Sequence, residues 1–169
     1  MHNNNITIRT WNKNDFEQVQ EILNKSWEIA YLPFVPQEDL SYYLNQTYNS
    51  NRLKELFDNT DTFCFIAQIK EKAAGWLKLY LNIYEDKFYI SSIYVHPEFQ
   101  KLKIGQQLID FSFSVAKEKG FLKIWIGVME KNTIALKWYE KNGFHFVDTK
   151  PFQMGKTTIN HLIGFKEIV

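Results

Sequence analysis

Apolar and polar residues alternate from Ile6 to Arg9, the pattern of a short strand. The period then lengthens. Phe16, Val19, Ile22 and Leu23 share one face of a predicted helix running to about Ala30, with Asn14 or Asp15 placed to cap it. Pro33 and Pro36 interrupt the chain. Pro36-Gln-Glu-Asp opens a second helix to about Tyr48, since proline suits the first helical position and acids suit the positive end of the helix dipole. Asn51 to Phe57 adds a further turn or two.

The period next falls to two. Phe63, Phe65, Ala67 and Ile69 alternate with Cys64, Ile66 and Gln68, and Leu77, Leu79, Leu81 and Ile83 alternate with Trp76, Lys78, Tyr80 and Asn82. With Glu71-Lys72 as a tight turn, these runs predict an antiparallel hairpin. Phe88 to Val95 predicts a third strand, stopped by Pro97, which has no N–H for a ladder. Ile104, Leu108, Phe111 and Val115 return to helical spacing, with Gly120 as the stop. Lys123 to Val128 predicts a buried strand and Thr133 to Asn142 a short helix stopped by Gly143. Phe144 to Val147 and Ile159 to Phe165 predict two closing strands, with a polar loop after Phe152-Gln-Met-Gly155. This order gives a mixed α/β fold, α+β-like, with helices on both faces of one sheet. No repeat, linker or composition break divides the chain, so residues 1–169 are expected to form a single domain.

Composition narrows the function. A hydrophobic fraction of 45% and an aromatic fraction of 17% supply a sizeable core and exclude a disordered chain. The net charge of +1 provides no global field toward nucleic acid or a membrane surface, so neither is an expected partner and recognition must be local. The single cysteine, Cys64, has no disulfide partner, and no Cys/His cluster has metal-ligand spacing, so no metal is expected. Met1 to Arg9 lacks the apolar core of a signal peptide, and no run of about 18 apolar residues is present, so the expected location is cytoplasmic.

The candidate chemistry begins at Ile93 to Gly105. A strand ends, a loop follows, and a helix starts near Ile104, so free backbone N–H groups and the helix dipole make an anion site. Lys101 and Lys103 add positive charge, which suits a diphosphate. A second segment, Glu130-Lys-Asn132-Thr-Ile-Ala135-Leu-Lys-Trp-Tyr139-Glu-Lys-Asn-Gly143-Phe144, follows the next strand. Asn132 stands where a helix cap stands, and Tyr139 lies one turn above Ala135 on the same face.

Together these segments resemble the two signatures of the GCN5-related N-acetyltransferase superfamily, in the right order and at the right separation. Gln100 to Gly105 is similar to its pyrophosphate loop, except that Lys103 stands where the first glycine is usual. The resemblance implies an acyl-CoA N-acyltransferase fold with a mostly antiparallel central sheet. It implies acetyl-coenzyme A as cofactor, with Gln100 at the cofactor and the pyrophosphate on the amides of Lys101, Leu102, Lys103, Ile104, Gly105 and Gln106. The pantetheine arm would lie along Ile93, Tyr94 and Val95, with Asn132 and Ala135 also at the cofactor. Tyr139 is assigned to the sulfur, as the acid for the leaving thiolate. The Trp27 to Pro36 region, Glu38 to Tyr43 and the C-terminal tail are similar to the spermidine/spermine (polyamine) branch.

The implied activity is acetyl-CoA-dependent transfer to a primary amine of a small molecule or polyamine, by direct attack in a ternary complex. A peptide or protein acceptor and a CoA-binding sensor without turnover are the alternatives. An ammonium near pKa 10.4 must lose a proton before it attacks. Glu28, Glu85 and Glu130 are the candidate bases, with Tyr31 as an aromatic neighbour of the acceptor. The Val95 N–H is the natural donor to the thioester oxygen. Glu38, Asp39, Glu85 and Asp86 favour a cationic acceptor, and His96, His145 and His161 read as structural or exposed. A homodimer is compatible with the aromatic excess.

Overall fold

The computed structural model describes residues 5–168, so Met1–Asn4 and Val169, the ends of the expected single domain, lie outside the described residues. Its elements run in the predicted order: β1 (Ile6–Thr10), α1 (Phe16–Tyr31), α2 (Gln37–Tyr48), α3 (Ser50–Asp58), β2 (Thr62–Ile69), β3 (Lys72–Asn82) and β4 (Lys87–Val95). There follow α4 (Ile104–Glu118), β5 (Lys123–Met129), α5 (Thr133–Lys141), β6 (His145–Met154) and β7 (Thr157–Glu167). The seven strands form one sheet in the order β1-β2-β3-β4-β5-β7-β6. Every neighbouring pair is antiparallel except β4 with β5.

Alternation along the strands divides the core in two. Under α1 and α2 lie Val19, Ile22, Leu23, Trp27, Leu40, Cys64, Ile66 and Trp76. Under α4, on the other face, lie Leu77, Leu79, Phe88, Ile104, Leu108, Ile124 and Ile126. Each buried aliphatic side chain contributes about 1.5–3 kcal/mol, so the two faces together clamp the sheet between the helices. Gly75 allows the close approach of α4: a Cβ there would stand 3.0 Å from both Ile104 and Leu108 side-chain carbons.

Three details differ from the pattern-based expectation. Asp15 stands at the N-cap of α1 but makes no side-chain bond to that helix; Asn12 caps a 3₁₀ turn at Lys13–Asp15, and the Asp15 carboxylate accepts the Asn12 N–H in return. The β2–β3 turn is Lys70-Glu71, one position early, with Lys70 at φ 54°. The closing strands are longer than predicted, 10 and 11 residues, and Phe152-Gln-Met continues β6. Pro151 lies within this strand, and β6 is an edge strand, the place in a sheet where proline is tolerated.

The feature that makes a site is the parting of β4 and β5. They pair only from Phe88↔Ile124 to Ile90↔Ile126. The β3–β4 register slips between Lys78↔Ser92 and Leu79↔Ile90, so Ser91 is an extra residue that bends β4. Strand β5 stays with β7 as far as Met129. A wedge therefore opens between β4 and β5 beyond Ile90.

Candidate active site

Backbone groups line the wedge. The His96 N–H donates to the Ala74 carbonyl at 2.8 Å, on the β3 side of β4. Antiparallel pairing alternates, so the N–H and C=O groups of Ile93 and Val95 face the other way, into the gap. The Ser26 hydroxyl of α1 donates to the Val95 carbonyl at 3.2 Å, which pins the helix to the mouth. A cleft of about 800 Å³ runs from here past Ile29 and Ala30, the loop 99–106, Asn132, Ile134 and Trp138.

The loop keeps its turn without glycine at position 103. Lys103 caps α4 at φ 58° and ψ 24°, and Lys101 stands at φ 71°. Both are left-handed conformations, at about 1–2 kcal/mol each for a side-chain-bearing residue. The first backbone bond of α4 is donated by Gln107 to the Lys103 carbonyl. Among the described residues, the amides of Lys101, Leu102, Lys103, Ile104, Gly105 and Gln106 have no protein acceptor. Such a run of free donors at a helix N-terminus fits a diphosphate. Gln100, also expected at the cofactor, lines the cleft, while its own N–H is donated to the Pro97 carbonyl at 3.3 Å. The Gln106 side chain joins α4 to α5 through Asn142 at 2.9 Å, and Gly105 lies 3.6 Å, measured from an added Cβ, from the Trp138 ring.

The inner end of the wedge is aromatic. Tyr139 reaches it from α5 and lines it with Tyr31, Ser91, Ser92, Gly127, Asn132 and Ala135. Burial, then the nearby Tyr31, pushes the Tyr139 phenol well above its ordinary range, so it stays protonated. Tyr31 and Tyr94 hydroxyls meet at 3.4 Å, and both are likewise raised, chiefly by burial. Asn132 caps α5 by accepting the Ala135 N–H at 3.2 Å, and its side chain also meets Tyr31. The structure thus brings Ile93, Tyr94, Val95, the loop 101–106, Asn132, Ala135 and Tyr139 around one cleft.

The carboxylates do not join them. Glu28 is exposed, half a turn round α1 from the cleft-lining Ser26 and Ala30. Glu85 lies in the exposed β3–β4 turn, where Lys87 at 3.0 Å holds its carboxyl below the usual range. That turn is at the opposite end of β4 from Val95. Glu130 is exposed between β5 and α5. Asp39 accepts the Lys156 N–H at 2.9 Å and the Thr157 hydroxyl, so it fastens a hairpin. Neither Glu85 nor Asp39 is a free attractant for a cationic acceptor.

Sequence reasoning passed over Ser91 and Ser92, and read His161 only as structural or exposed. The first two carry a legible signal: the apolar phase Phe88, Ile90 resumes at Ile93, Val95, a slip of one residue. His161 pairs with Met129 and stands against Gly127, its Nδ1 3.3 Å from an added Cβ there. Its sign is Gly127 itself, a glycine inside a strand, which marks a close approach.

Comparison with known proteins gives one answer. The model of the acetyltransferase (GNAT) family matches residues 16–144, more than half of the chain. A spermidine N(1)-acetyltransferase of Thermoplasma acidophilum is 27% identical over 148 residues, 85% of this chain and 91% of that protein. An uncharacterised N-acetyltransferase of Mycobacterium tuberculosis is 23% identical over 155 residues, covering 92% and 99%. The crystal structure of the PaiA N-acetyltransferase of T. acidophilum, in complex with coenzyme A, has the same fold, with a TM-score of 0.82 and 24% identity over 96% of this chain and 99% of that one. Among the described residues no helix is long and apolar enough to cross a membrane. The wedge, the donor-rich loop and the sequence match agree, and the chain belongs to the acetyltransferase (GNAT) family, whose members are acyltransferases that work with acetyl-CoA.

Proposed function

We propose that this protein transfers the acetyl group of acetyl-CoA directly to a primary amine of a small molecule, polyamines included. The observation that carries the reading is the β4–β5 wedge, with free amides at its mouth and a protonated phenol at its inner end. Amides 101–106, with Lys101 and Lys103, would hold the pyrophosphate, and the edge of Ile93 and Val95 would pair with the pantetheine amides. The cofactor supplies an activated acetyl thioester. Ile93 lines the stretch that Tyr139 also lines, so its N–H replaces that of Val95 as the donor to the thioester oxygen.

The departing thiolate has an ordinary pKa near about 8.5, far below that of Tyr139, so the phenol stabilises it by donating a hydrogen bond. An acetyl-enzyme is disfavoured. Cys64 is the only thiol, it is buried, and burial pushes it up to about 12, so it stays a thiol at neutral pH. The polyamine choice rests on likeness to the T. acidophilum enzyme.

The test is thiol release from acetyl-CoA with spermidine, spermine, simple amines and lysine peptides as acceptors. Small amines should support turnover and peptides should not. Tyr139→Phe should lower kcat by about 100-fold while leaving CoA affinity unchanged. Turnover with peptides alone would reverse the acceptor assignment, and an unchanged kcat would remove Tyr139 from the chemistry.

A further inference from the structure

An acceptor amine arrives as an ammonium at neutral pH, so acetyl transfer as proposed above needs a proton acceptor within reach. No Asp or Glu lines either part of the cleft. One imidazole stands beside a residue that lines it. His161 projects from β7 over Gly127, and Gly127 lines the inner wedge with Tyr139 and Ser92. With no side chain at 127, the ring lies against the wall of the wedge itself. Ring stacking fixes its plane: Phe152 lies 4.3 Å away at an interplanar angle of 10°, and Phe152 in turn packs on Tyr43.

The ring makes no hydrogen bond to protein among the described residues, so no partner occupies its nitrogen lone pair. Its surroundings keep it neutral. From β5 it faces Gly127 and Met129, and from β6 it faces Phe152 and, directly across the pair, Lys150. Beyond Lys150 stands Glu85, already paired with Lys87. No carboxylate touches the ring, and burial moves its pKa below 6.5.

We propose that His161 is the general base that takes the ammonium proton of the bound acceptor. One N–H bond of the ammonium breaks and its proton passes to the ring nitrogen. The freed lone pair forms the C–N bond to the acetyl carbon. As the C–S bond breaks, its electron pair leaves on sulfur, hydrogen-bonded to Tyr139. The second nitrogen proton passes to that sulfur, giving amide and free thiol, and the imidazolium returns its proton to water. The inference rests on the amine-acetylation reading and adds the residue that reading lacks.

The experiment is kcat/KM against pH, from about pH 5 to about pH 9, with the best small amine. Wild type should lose activity through one ionisation below 6.5, where His161 becomes protonated. His161→Gln should lower kcat at neutral pH by about 100-fold, abolish that acid limb, and keep CoA-dependent thermal stabilisation. Added imidazole should restore part of the activity of His161→Ala. A folded variant within about threefold of wild type, with the acid limb intact, overturns the proposal. If the variants do not fold, a wild-type profile with no acid limb at any pH below 6.5 at which the enzyme stays folded overturns it instead. A wild type that binds CoA but acetylates no amine brings down the functional reading itself, an outcome distinct from either.

Discussion

Lys103 holds a left-handed conformation that glycine adopts without strain, at the point where the loop turns into α4. Relief of about 1–2 kcal/mol of strain is offset by the greater freedom of glycine in the unfolded chain, about 0.5–1 kcal/mol. Lys103→Gly should therefore be neutral to about 1.5 kcal/mol more stable in urea unfolding. CoA binding should weaken a few-fold at low salt, because one charge beside the free amides is lost. A clear loss of stability would mean that Lys103 makes a stabilising contact that offsets its backbone strain. At this scale the sequence was legible where the residues are close along the chain: the loop residues are consecutive, and Asn132, Ala135 and Tyr139 follow one another a turn apart at α5. It was opaque for His161, whose neighbour Gly127 lies on another strand, 34 positions away. The bases Glu28 and Glu85 misled for the same reason, since acid chemistry was visible and direction was not.

Among the elements, the β6–β7 hairpin carries the least obvious role. Its turn residue Gly155 sits at φ 56°, and a Cβ there would run into the Asp39 carboxylate of α2. The same carboxylate binds the next two residues, Lys156 and Thr157. This fastening places Phe152 between Tyr43 of α2 and His161 of β7. Gly155→Ala combines about 1–2 kcal/mol of left-handed strain with the collision, so urea unfolding should show at least that loss. Its kinetic effect should fall on the acceptor, raising that KM, while CoA affinity stays constant because the loop 101–106 is on the other side of the wedge. Equal losses in both affinities would show that the hairpin supports the whole fold rather than the acceptor side. Element order was readable because periods of 2 and 3.6 differ sharply. The ends of β6 were not, because an edge strand has a solvated face and no strict alternation to follow.

For the molecule as a whole, the order of strands follows from pairing that no local pattern encodes. The insertion of β7 between β5 and β6 needs the hairpin to fold back against β5, which depends on contacts 32 to 44 residues apart. The opposite edge is secured electrostatically. Arg9 of β1 grips Asp15 with two hydrogen bonds of 2.8 and 2.7 Å, and the Asn12 N–H adds a third at 2.7 Å. Burial alone would raise the Asp15 carboxyl, but Arg9 and the Asn12 amide together bring it below its usual 3.8. A depressed folded pKa means that the unfolded chain binds the proton first. The stabilisation is therefore fully present above 3.8 and is lost as pH falls through the lower folded value. His161, also depressed, acts higher: its neutral form is favoured in the fold, so stability begins to decline once pH drops below 6.5. Urea unfolding as a function of pH should show these two steps. Asp15→Asn should lower stability at neutral pH by about 1.5–3 kcal/mol, the worth of hydrogen bonds to a charged group. It should also remove the step below 3.8, so that the wild-type and variant curves converge in acid. His161→Gln should erase only the upper step. Parallel curves for Asp15→Asn at every pH would assign the loss to packing, and would leave the β1 edge held by its ladder to β2 alone.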